Sequence, residues 1–102
     1  MGLKLLIADD EDTIRRGMTK YMQLHTDRIS KIYEAENGQE ALDILLQYQP
    51  QVMLLDVQMP GKSGIEVLQE AKRAGIEPIT IILSGYDEFK YAQQALHLGA
   101  KE

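Results

Sequence analysis

Short apolar runs alternate along the chain with longer stretches whose apolar residues recur at helical spacing, the pattern of strands followed by amphipathic helices. The first run is Leu3 to Ala8. After it, Ile14, Met18, Tyr21 and Met22 fall at i, i+4, i+7 and i+8. That spacing predicts a helix that starts near Asp12 as its N-cap, ends by about Leu24 and turns this stripe inward. Residues 29 to 35, ISKIYEA, are β-branched and aromatic yet carry Lys31 and Glu34, which suits a strand at a sheet edge. Asn37-Gly38 predicts a turn. Ala41, Leu42, Leu45 and Leu46 then form one face of a second helix, which must stop before Pro50 because the residue preceding proline avoids the α region.

VMLLD, residues 52 to 56, is apolar without interruption until its last residue, as expected of a strand covered on both faces. Ser63-Gly64-Ile65-Glu66 reads as a capping box, with Ile65, Leu68 and Ala71 inward and Gly75 as the stop. Pro78 opens ITIILS, a fourth buried strand, and Asp87 is placed to cap a last helix carrying Phe89, Ala92 and Leu96. The order βαβαβαβα, joined by right-handed crossovers, predicts an α/β fold with an open, doubly wound parallel sheet. In such sheets ligands sit beyond the carboxyl ends of the strands.

Those ends are where the acids lie. LLIADDED, residues 5 to 12, closes the first strand with four acids in five positions, the third strand ends at Asp56, and the fourth at Ser84. If strands one, three and four are neighbours, three carboxylates and a hydroxyl would converge on one rim. Clustered carboxylates repel, and a hard divalent cation with oxygen ligands is the natural compensation; Mg²⁺ binds through one or two carboxylates, waters and phosphate oxygens. A carboxylate such as Asp56 can also attack phosphorus once the phosphoryl charge is absorbed, with Ser84 donating one hydrogen bond. Asp12 is expected only to cap its helix, and Glu11 to face solvent.

Composition narrows the choices. One chain of 102 residues makes one domain, and no apolar run approaches the ~18 residues of a membrane span. A net charge of −5 disfavours direct binding to nucleic acid. The absence of cysteine removes thiolate metal sites and disulfides, and with no secretory signal ahead of the first strand the expected location is the cytoplasm. Neither G-x-G-x-x-G nor G-x-x-x-x-G-K-[ST] occurs, which argues against a nucleotide site. His25 and His97 are expected at the surface near helix ends, and Met18, Met22 and Met53 in the core.

LLIADDED, VMLLDVQMPGKSGIEVL, ITIILSGYDEF and ALHLGAKE together resemble the receiver domain of bacterial two-component response regulators, over the whole chain. The resemblance implies a flavodoxin-like sheet of order 2-1-3-4-5. It implies Asp56 as phosphoacceptor, Asp10 as a direct Mg²⁺ ligand, Asp9 as a ligand through water, the Gln58 backbone carbonyl as a further ligand, and Ser84 as the switch hydroxyl. A sensor histidine kinase is the implied donor, and SGYDEFKYAQQAL looks most like regulators with an AraC-type DNA-binding output domain outside this chain.

The family continues past the GA-x-x segment into a fifth strand with an aromatic residue and a Lys-Pro, and then a fifth helix, whereas these residues stop at Glu102. The expected sheet is therefore 2-1-3-4, the lysine that contacts the phosphoryl group has no counterpart here, and Lys101 falls too early to replace it. An apolar fourth-strand edge left uncovered would favour self-association. Two other function classes are a phosphorylation-impaired interaction module lacking that lysine and a metal-dependent aspartyl phosphohydrolase. Against the latter, Asp56-Val57-Gln58 lacks the second acid of a D-x-D pair.

Overall fold

A computed structural model describes residues 2–83. Seven elements follow in order: β1 (Leu3–Ala8), α1 (Asp12–His25), β2 (Ile29–Ala35), α2 (Gly38–Tyr48), β3 (Val52–Asp56), α3 (Gly64–Arg73) and β4 (Ile79–Leu83). The strands form one parallel sheet in the order β2-β1-β3-β4, with β2 at an edge, as its two charges suggest. The last helix expected after Ser84, with Asp87 and Phe89, lies outside the described residues.

The in-register rows explain the core. Leu6 aligns with Tyr33 and Met53, and Ala8 with Ala35 and Leu55, so one sheet face is a continuous apolar surface. α2 and α3 cover it with Ala41, Leu45, Ile65, Val67, Leu68 and Ala71, all buried. α3 opens with the expected capping box, since Ser63 Oγ accepts from the Glu66 N–H and Glu66 reaches back to the Ser63 N–H. Gly75 follows its end with a positive φ.

Several expectations need correction or extension. The Asn37-Gly38 pair does more than turn the chain: Asn37 is the N-cap of α2, its side chain accepting from the Glu40 N–H at 2.8 Å. Asp12 is not an N-cap; that position belongs to Glu11, which makes no side-chain capping bond, and Asp12 sits in the first helical turn. The α1 stripe is not buried among the described residues, since Ile14 is 46% and Tyr21 60% exposed while Arg15 is the buried residue of the helix. α1 covers the second sheet face without a neighbouring helix among the described residues. It buries Leu5 and Ile7 but leaves Ile14, Met18 and Tyr21 bordering an open apolar groove over Leu54. For the same reason β3 is fully covered on the α2–α3 face only.

The start of α2 presses against the loop between β3 and α3. A Cβ on Gly38 would collide with the Lys62 carbonyl oxygen and stand 2.6 Å from the Lys62 Cβ. Helix propensity alone makes Gly38→Ala favourable by at most about 1 kcal/mol. The close approach reverses that sign, so urea denaturation should show Gly38→Ala destabilised by about 1–3 kcal/mol; a gain in stability would contradict the packing.

Candidate functional site

Parallel register brings the carboxyl ends of β1 and β3 side by side, Ala8 aligning with Leu55. The acids that follow are thereby gathered: one carboxylate oxygen from each of Asp9, Asp10 and Asp56 lies within 4.8 Å of the others. Asp9 is buried, Asp56 half-buried and Asp10 exposed, so the cluster opens to solvent at one side. Of the residues singled out from sequence, these three come together, whereas Ser84 lies outside the described residues.

Asp9 and Asp56 are held by nearby backbone. Asp9 donates its N–H to the Ala35 carbonyl at 3.0 Å, and its Oδ1 accepts from the Glu11 N–H at 2.9 Å. Asp56 Oδ1 accepts from the Gln58 N–H at 3.1 Å, so the turn carrying Gln58 folds back on the acid. Gly64 fixes the next step of the chain. Its N–H donates to the Val57 carbonyl at 2.8 Å, and a Cβ there would stand 2.6 Å from the Asp56 carbonyl oxygen. Lys62, in the same loop, pairs with Glu70 of α3 at 2.7 Å, and that hydrogen bond raises its pKa.

Two unit charges about 4.8 Å apart repel by roughly 1 kcal/mol in water and by 3–4 kcal/mol at an effective dielectric near 20. Exposure of Asp10 moves its share toward the lower figure. The donor set among the described residues fits a hard cation, being three carboxylates with no nitrogen or sulfur. Oxygens sharing one Mg²⁺ at ~2.1 Å lie at most about 4.2 Å apart, a span of the same order as that of the cluster.

Sequence reasoning missed Arg15. It is buried at 7% exposure, donating from Nη1 to the Asp9 carbonyl at 2.9 Å and from Nε to Glu34 Oε1 at 3.0 Å, while Nη2 bonds Asp12. Burial works against its charge, yet the hydrogen bonds to Asp12 and Glu34 outweigh that and raise its pKa. Only the i, i+3 spacing to Asp12 signalled a pair; nothing in the apolar periodicity marked position 15 as inward.

An open parallel α/β sheet with three carboxylates gathered at its strand ends places this chain among the doubly wound α/β domains with an acidic binding rim. Residues 5–102 match the family model described as "Response regulator receiver domain". The chain belongs to the receiver domains of response regulators. It is 37% identical over 98 residues to the uncharacterized transcriptional regulatory protein YesN of Bacillus subtilis, a match covering 96% of this chain and 27% of that protein. The transcriptional regulatory protein HptR of Staphylococcus aureus is 36% identical over 93 residues, covering 91% of this chain and 36% of that one. The chain thus spans about a quarter to a third of these relatives. Its fold superposes on the receiver domain of AraT, a response regulator from Geobacillus stearothermophilus, with a TM-score of 0.88 and 36% identity over 99% of this chain and 78% of that one.

The Asp12–Arg15 pair gives a pH signature. The hydrogen bond from Arg15, followed by its charge, holds the Asp12 carboxyl below its ordinary value of 3.8. A depressed folded-state pKa contributes stability above the unfolded value and loses it as pH falls. Asp12→Asn should therefore lower stability slightly at neutral pH and flatten part of its loss below pH 3.8, read from urea midpoints across that range. An unchanged acid limb would contradict the pairing.

Proposed function

We propose that this receiver accepts a phosphoryl group from the phosphohistidine of a sensor histidine kinase onto Asp56, with Mg²⁺ held by Asp9, Asp10, Asp56 and the Gln58 backbone carbonyl. The observation that carries the reading is the convergence of three carboxylates at the ends of two neighbouring strands, in a chain of the receiver family. A carboxylate oxygen of Asp56 forms the new bond to phosphorus as the bond from phosphorus to the imidazole nitrogen breaks, and the imidazole leaves with its electron pair. Mg²⁺, when bound, would neutralise charge on the acids and on the transferring phosphoryl oxygens.

The chain's own residues supply position. The Gln58 N–H orients one Asp56 oxygen, the Glu11 N–H orients Asp9, and Gly64 lets α3 begin close behind the strand end. Ser84, next after β4, is proposed to donate its hydroxyl to the phosphoryl group and to carry the switch between two conformations. Residues 1–102 then act as the receiver part of a cytoplasmic signalling protein whose output segment, outside this chain, binds DNA. Two relatives described as transcriptional regulators support that output. The domain works as a phosphoacceptor, not as an enzyme turning over a small substrate. Self-association through the β4 edge belongs to the same reading.

Intact-mass analysis after incubation with acetyl phosphate and Mg²⁺ tests the assignment. The parent chain should gain one phosphoryl group and Asp56→Asn none. A folded parent that stays unlabelled would favour the interaction-module reading, and equal labelling of both chains would move the site elsewhere.

A further inference from the structure

Arg15 stands beside the acid cluster but has no part in the chemistry proposed for it. A buried guanidinium persists only where its charge and its N–H groups are satisfied. Here one side chain joins three elements: Nη1 to the main-chain oxygen of Asp9 after β1, Nε to Glu34 in β2, and Nη2 to Asp12 in α1. Its charge is balanced by Glu34 and Asp12, not by the carboxylates of the cluster.

We propose that Arg15 is a positioning residue that sets the Mg²⁺ affinity of the cluster without touching the ion. It does so by pinning the turn from which Asp9 and Asp10 face Asp56. The inference rests on the reading of Asp9, Asp10 and Asp56 as a Mg²⁺ site. The turn needs such a tie because the N-cap of α1, Glu11, makes no side-chain capping bond. Beyond its N–H, which the Ala35 carbonyl accepts, Asp9 is fixed at two further points: its carbonyl by Arg15 and its carboxylate by the Glu11 N–H. Were either to slip, the Asp9 carboxylate would turn away from its neighbours, and the cation would meet fewer oxygens at once.

The role is geometric, which separates it from a charge effect. Three acceptors lie in three directions around one planar fork, and an ammonium at the end of a lysine stem cannot reach all three. Arg15→Lys therefore keeps the charge and loses the fork.

The test is calorimetric titration of Mg²⁺ into the whole chain for the parent, Asp10→Asn and Arg15→Lys, with metal-free amide spectra to follow folding and the Glu11 N–H. The parent should bind, Asp10→Asn should lose binding, and folded Arg15→Lys should bind about tenfold more weakly with its Glu11 amide resonance displaced. Should Arg15→Lys fail to fold, Glu34→Ala, which removes one tether, should weaken binding in the same direction by less. Arg15→Lys, or Glu34→Ala in its place, with parental affinity and an unmoved Glu11 amide would overturn the positioning role while leaving the metal site standing. A parent that does not bind Mg²⁺ would overturn both.

Discussion

Repulsion among three carboxylates is the constraint around which this domain is arranged. A parallel sheet aligns strand ends by construction, so a chain that closes two neighbouring strands with acids forces them together whatever the side chains prefer. Asp9 is buried as well, which adds a desolvation cost to the Coulomb cost. The packed sheet face behind the rim holds the strand ends in place, and the proposed Mg²⁺ would relieve the repulsion.

Stability is concentrated away from the acids. Leu6, Met53 and Leu55 meet α2 and α3 across one sheet face, and this close-packed slab fixes the direction in which β1 and β3 point. The other face is more lightly covered, with α1 leaving Ile14 and Tyr21 exposed beside the groove over Leu54. The acid rim thus lies at the end of a firm layer and next to a lighter one. Arg15 links the two, since it grows from α1 and reaches the end of β1 and the side of β2.

Much of this was legible in the chain. The strands at Leu3, Ile29, Val52 and Ile79 announced themselves because each is a short apolar or β-branched run between polar segments. The α3 capping box was readable because its hydrogen bonds are local and its residue types specific. Asp9, Asp10 and Asp56 could be named because Asp56 ends β3 and the other two follow directly on β1, where the topology of an open α/β sheet places the binding rim. The strand order was not legible from periodicity; it came from the family resemblance. Sequence failed where a side chain's neighbours are distant along the chain. Arg15 looks like a solvated helix charge until Glu34, 19 residues away, is brought beside it. The α1 stripe looks buried because periodicity reports a helix's apolar face and not whether another element covers that face. Asp12 has the residue type of an N-cap, yet the N-cap position falls one residue earlier and Asp12 pairs with Arg15 from within the first turn.

The proposed Mg²⁺ site rests on a cation binding among Asp9, Asp10 and Asp56 and relieving their mutual repulsion. Thermal unfolding of the parent and Asp10→Asn, each across a Mg²⁺ series, tests it most directly. The parent's Tm should rise with Mg²⁺, as for any ligand that binds only the folded state. Asp10→Asn should start higher in the absence of metal, because one repelling charge is gone, and gain nothing from Mg²⁺. A parent indifferent to Mg²⁺, together with an Asp10→Asn chain less stable than the parent without metal, would contradict it.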